Sequence, residues 1–125
     1  MASLLSGSII NCRRIEDLRA GDYILDNDGK LVPIIRIWKT RETDDIIGYF
    51  FNYVICSSFF LVKSKDSNWT HACNLSNEYF LMTAYMYRIE TENYGIRIDN
   101  FSFETWTTDY IDKNPEVISK YFLVE

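Results

Sequence analysis

Histidine occurs once in these 125 residues, proline twice, and the three cysteines, Cys12, Cys56 and Cys73, stand far apart with no C-x-x-C spacing. Those shortages exclude a zinc framework and a disulfide scaffold, and leave the thiols as buried free cysteines. Basic residues are outnumbered too. A net charge of -5 and a pI near 4.9 give no footprint for a phosphate backbone, and Arg13-Arg14 is the only adjacent basic pair, so nucleic acid is not an expected partner. Residues 1–10 carry neither a basic leader nor a sustained apolar run, which speaks against a signal peptide and a membrane anchor and makes the cytosol the default location. Without a leader, the glycosylation acceptor patterns at Asn68, Asn74 and Asn100 are discounted. No phosphate-cradling glycine loop, serine-hydrolase elbow or zinc-protease helix occurs, and no cofactor, metal or small-molecule substrate is expected.

The chain is rich in hydrophobic residues, at 47%, and in aromatics, at 16%. The apolar residues fall in short blocks of Ile, Val, Tyr, Phe and Trp bounded by Gly, Asn and Asp, which is strand chemistry. Strands are expected at 8–12, 23–26, 31–38, 47–56, 60–63, 79–90, 96–98 and 101–104. Their close spacing predicts an all-β fold, a single compact domain rather than alternating strands and helices. Asp26-Asn27-Asp28-Gly29 is a hairpin turn, since these residues tolerate the positive φ that tight reversals need. Pro33 removes a ladder donor from the strand that follows and predicts a bend there. The charged stretches 39–45 and 64–68 read as solvated loops. One short C-terminal helix is expected from Asn114-Pro115 to Lys120, with Asn114 as its cap and Pro115 in the first helical position.

The most organised run is 15–30, Ile-Glu-Asp-Leu-Arg-Ala-Gly-Asp-Tyr-Ile-Leu-Asp-Asn-Asp-Gly-Lys. Together with Ser3 to Ile10 before it, this run resembles the start of the Hint superfamily, the fold shared by inteins and the Hedgehog autoprocessing domain. The segment Trp69-Thr70-His71-Ala72-Cys73-Asn74-Leu75 is similar to a later family block, and residues 87–101 to the penultimate one. The resemblance covers about residues 3 to 103. It implies a Hint-like domain over 1–104, followed by an extension, 105–125, packed on the domain or on a partner.

The family's spacing places the nucleophile position on Ser3 and the T-x-x-H motif on Cys56-Ser57-Ser58-Phe59. A working member attacks its own preceding carbonyl with that nucleophile. Phe59 stands where the resemblance requires a histidine, and a phenyl ring transfers no proton. The terminal His-Asn pair that drives cleavage at the other end is also missing. The implied protein is a degenerate Hint domain in which Ser3, Cys56 and Phe59 are vestigial. The alternative is a self-processing domain acting through Ser3, or through Cys12 in a shifted register. A β-rich domain unrelated to Hint is a third reading.

His71 is expected in a structural role on a turn or exposed strand. The carboxylate pairs Glu16-Asp17, Asp26 with Asp28, and Asp44-Asp45 read as capping and turn residues. The aromatics exceed what one small core can bury, so some are expected at a protein interface. Trp106, Tyr110, Tyr121 and Phe122 are the candidates for it, with plain packing against the sheet as the competing reading. The expected function is therefore a structural or protein-interaction module in a larger assembly. The Ile-, Asn-, Lys-, Asp- and Tyr-rich composition suggests a minor capsid protein of a large DNA virus, placed in the cytoplasm or the virion.

Overall fold

The computed structural model describes residues 2–125. Short antiparallel strands dominate it, as the blocks of β-branched and aromatic residues require. Seven of them form one sheet in the order Tyr79–Ala84, Thr43–Phe51, Val54–Cys56, Leu4–Leu5, Met86–Glu90, Arg36–Lys39, Phe122–Leu123. Four more, Thr70–His71, Leu61–Ser64, Phe101–Phe103 and Ile96–Ile98, form a second sheet. Two hairpins complete the set, Ile9–Ile10 with Arg13–Arg14 and Tyr23–Leu25 with Leu31–Pro33.

The run at 15–30 folds for local reasons. Ile15 and Leu18 drop into the core from a single 3₁₀ turn, Ile15–Asp17, while the polar residues between them stay outside. The Glu16 carboxylate accepts from the Gly7 amide at 2.6 Å, and Asp22 accepts from the Arg19 amide at 2.8 Å. Gly21, at φ +92°, makes the reversal between them, a conformation that costs glycine little. Asp26 then accepts from the amides of Asp28 and Lys30, both at 2.9 Å, and so builds the expected hairpin turn.

Three expected strands are each two. The run 31–38 breaks after Pro33, and its halves, Leu31–Pro33 and Arg36–Lys39, belong to different sheets. The run 47–56 turns at Asn52-Tyr53, with Asn52 at φ +55°, and its first strand begins earlier, at Thr43 inside the expected charged loop. The run 79–90 divides at Tyr85, whose amide donates to the Ser6 hydroxyl at 2.9 Å. Its first half lies at the sheet edge and its second near the centre.

The helices are α1 (Ala72–Leu75), α2 (Thr108–Lys113) and α3 (Pro115–Ile118). The expected C-terminal helix is α3, with Pro115 in its first turn, but Asn114 does not cap it by its side chain. The Asn114 side-chain amide donates instead to the Tyr110 carbonyl at 2.8 Å, closing α2, whose own start is capped by Thr107. The sequence signal for α2 was Thr107-Thr108-Asp109, a capping hydroxyl followed by an acid in the first turn.

The main core runs from Leu4 and Ile10 through Ile15, Leu18, Ile24 and Ile37 to Phe51, Phe60, Ile89 and Phe103. Met86–Glu90 is buried along its whole length, so both of its faces are covered, and two charged residues are carried inside with it. Arg88 donates to Glu104 at 2.7 Å, and Glu90 receives Arg36 through a two-pronged contact at 2.6 and 2.9 Å. Trp106, Ile111 and Tyr121 make a smaller core of their own, against which Trp38, Val117 and Ile118 pack.

Candidate functional site

Leu4–Leu5 is only two residues long, yet it lies between Val54–Cys56 and Met86–Glu90 in the middle of the main sheet. Ser3 enters the same ladder from one end. Its amide donates to the Ser57 hydroxyl at 2.8 Å, and its carbonyl accepts from the Ser57 amide at 2.9 Å. The Ser3 hydroxyl shares a hydrogen bond of 2.7 Å with the Tyr121 phenol, 118 residues away in sequence. Ser3 is fully buried, and Ser57 and Tyr121 nearly so.

Beside this centre, Ala2, Arg88, Trp106, Tyr110, Val117 and Tyr121 line a cavity of about 340 Å³. Arg88 sits between rings, with its guanidinium carbon 4.8 Å from the Trp106 ring centre and 5.2 Å from that of Phe60. Among the described residues, its Nε and Nη1 find no hydrogen-bond partner. The two rings supply electrostatic attraction to a cation held away from water. Neither this buried arginine nor Glu104 was singled out from the sequence. The signal for Arg88 was a charge between Tyr87 and Ile89 in a strand, and Glu104 stands just past the end of Phe101–Phe103.

The residue types around Ser3 determine what the centre can do. Burial pushes the Tyr121 phenol up, against a smaller opposite effect of the Ser3 hydrogen bond, so at neutral pH the phenol is protonated and cannot take the proton of Ser3. Cys56, paired with Leu4 in the ladder, is wholly buried. Burial, reinforced by the Glu104 carboxylate, pushes its thiol well above the ordinary value, which leaves no thiolate to attack.

Phe59 is not part of this centre. It is 66% exposed, and its ring meets His71 edge-on at 5.3 Å. His71 is itself exposed, with Nδ1 3.0 Å from the Phe59 carbonyl. The structure thus brings Ser3, Ser57 and Cys56 together and leaves Phe59 and His71 at the surface.

No known protein family and no characterised protein sequence matches this chain.

The four aromatics of the C-terminal segment divide evenly. Trp106 and Tyr121 are buried within the chain's own fold, because Trp106 closes over Arg88 and Tyr121 reaches Ser3, and less than a tenth of either is exposed. Tyr110 and Phe122 remain exposed, at 39% and 57%. A larger exposed group is Tyr79, Phe80 and Leu81, within the expected strand 79–90, where Tyr79 and Phe80 also belong to the aromatic surplus. Among the described residues no cluster of His, Cys, Asp and Glu could hold a metal ion, and no helix is long and apolar enough to cross a membrane. The carboxylates Glu16, Asp26 and Asp44 accept from a loop amide, from turn amides and from the Thr83 hydroxyl respectively.

Proposed function

We propose that this chain is a structural and protein-binding module of Hint-like build in which self-processing has been lost. The observation that carries this reading is the environment of the Ser3 hydroxyl. Its hydrogen-bond partner is a protonated phenol, and the nearest cysteine is a buried thiol, whereas an acyl shift needs a base to take the hydroxyl proton as the oxygen attacks. The Hint-like build is supported by the place of Ser3 in the centre of the sheet, by its pairing with Ser57, and by the turn geometry of the 15–30 run. A minor position in the shell of a large DNA virus is the assembly its composition suggests.

A second reading, self-processing through Ser3, draws on one contact. The Ser57 hydroxyl engages the Ser3 amide, which is the peptide that would be cut. The two readings separate in a fusion with a long tag ahead of Met1, incubated with and without a strong thiol and followed by intact-mass spectrometry. The tag should stay attached under both conditions; its release at the Ala2–Ser3 bond would establish the enzyme instead.

A further inference from the structure

The main sheet ends on one side at Tyr79–Ala84, whose strand neighbour is Thr43–Phe51. The register is regular from Tyr79, opposite Tyr49, to Met82, opposite Ile46, and shifts only between Met82 and Ala84. Half of the backbone donors and acceptors along this run face Thr43–Phe51, and the other half point outward in the plane of the sheet. Natural edge strands are blunted by charge, by proline or by shortness. This one spans six residues, Tyr-Phe-Leu-Met-Thr-Ala, with neither a charge nor a proline among them. Tyr79, Phe80 and Leu81 are 57%, 60% and 66% exposed in succession, so apolar surface lies bare on both faces of the edge.

We propose that Tyr79–Met82 receives an extended segment of a partner protein by strand addition, and that this segment is apolar in its middle and basic at its ends. The proposal rests on the binding-module reading and gives it a site and a partner chemistry. The charges bracketing the edge decide the partner. Glu78 is exposed at one end. At the other, Asp44 is held against the strand by the Thr83 hydroxyl at 2.8 Å, and Glu42 and Asp45 are exposed near it, with Arg41 the one cation in that stretch.

A second copy of the chain fits poorly. Antiparallel self-pairing about the Phe80–Leu81 midpoint sets Glu78 of each copy across from Thr83 of the other, and therefore beside Asp44, at both ends of the contact. Like charges opposed across strands are destabilising, and each copy brings a net charge of -5. Lys or Arg at the ends of a foreign strand turns both repulsions into attractions. Alternate side chains of that strand then meet Tyr79 and Leu81 on one face and Phe80 and Met82 on the other.

The test uses a labelled synthetic peptide, Lys-Arg-Thr-Val-Tyr-Ile-Thr-Arg-Lys, and the same peptide with glutamate in place of every basic residue, each titrated into the full chain by fluorescence anisotropy. The basic peptide should bind at least tenfold more tightly than the acidic one. Raising the salt should weaken it, and Leu81→Lys should abolish binding while leaving the circular dichroism and the unfolding midpoint unchanged. In a separate measurement, Glu78→Lys combined with Asp44→Asn should remove most of the preference between the two peptides. Equal binding of the two, binding that survives Leu81→Lys, or no binding by either overturns the proposal. So does a wild-type dimer in sedimentation that Leu81→Lys dissociates, since a second copy would then occupy the edge. None of these outcomes bears on whether a tag ahead of Ser3 is released, so either reading can fail alone.

Discussion

The segment 105–125 and the strand Tyr79–Ala84 are both rich in large apolar side chains, and they use them in opposite ways. Trp106 and Tyr121 point inward, their rings meeting edge-on at 4.9 Å, while Tyr79 and Phe80 stay more than half exposed. The difference lies in what anchors each stretch. Trp106 exchanges backbone hydrogen bonds with the end of Met86–Glu90 and the residue after it, donating to Ile89 and accepting from Thr91, both at 2.9 Å. The Thr108 hydroxyl donates to Glu90 at 2.6 Å, and Phe122–Leu123 pairs with Arg36–Lys39 to become the sheet's other edge. Tyr79–Ala84 has one strand beside it, and its first three residues, Tyr79, Phe80 and Leu81, stay exposed. Aromatic content therefore does not mark a binding face in this chain; what distinguishes the two is whether polar groups of the same chain reach the segment and fix it.

The largest losses should come at Trp106 and at the buried charge pair it covers, Arg88 with Glu104. Glu104 accepts from Arg88 and, through its other oxygen, from the Leu61 amide at 2.6 Å. Glu104→Ala strips a buried guanidinium of its counter-charge and orphans that amide, so a loss of about 3–5 kcal/mol in denaturant unfolding is expected. Trp106→Ala should cost a comparable ~3–5 kcal/mol by opening a cavity over Arg88, and it should unfix the whole segment, visible as fast amide exchange from Thr107 to Leu123. A milder break is Tyr121→Phe, which leaves the ring in place and removes only the bond to Ser3. About 1 kcal/mol should be lost. The tag fused ahead of Met1 should stay attached in this variant too, because removing a phenol supplies no base.

Acid provides a reversible version of the same break. Burial pushes the Glu90 carboxyl up, but Arg36, Thr108 and Trp38 together outweigh it and hold the group below its ordinary value of 4.5. A carboxyl depressed on folding stabilises fully above its unfolded value, and the contribution disappears as the pH falls through the folded value. The chain should accordingly lose stability below about pH 4.5, and Glu90→Gln should flatten that part of the pH profile. The fluorescence of Trp38 and Trp106, whose ring centres are 6.5 Å apart, should report the change.

What the sequence made legible was mostly what local chemistry decides. The turn built by Asp26, the reversal at Gly21 and the buried pair Ile15 and Leu18 depend on residues a few positions apart, and their letters carry the instruction. The division of 79–90 was not legible, because Tyr85 leaves the ladder to exchange bonds with Ser6, 79 residues away. Asn114 shows the same limit at short range: its letter marks a helix boundary without saying which of two helices it serves. In the candidate site, motif spacing drew attention to Ser3 and to 56–59, but the phenol that holds the Ser3 hydroxyl comes from the far end of the chain. Exposure of Tyr79–Leu81 was equally hidden, since period-two alternation says which residues share a face and nothing about which strand ends the sheet.

The smallest effect sharpens the comparison most. A lysine placed at Leu81 extends into water from a side chain already 66% exposed, so the unfolding free energy should change by no more than about 0.5 kcal/mol. The same substitution at Ile111, which is 8% exposed in the small core with Trp106 and Tyr121, buries an ammonium among aromatic rings and should unfold the segment. If Leu81→Lys proved as damaging as Ile111→Lys, the edge would be covered in the folded chain and its aromatics would be core. If it is harmless to folding, stability gives no reason for an uncharged edge where lysine is tolerated. Lysine is what protects an edge strand from other strands, so an edge that could carry it at no cost and does not is one left open for pairing.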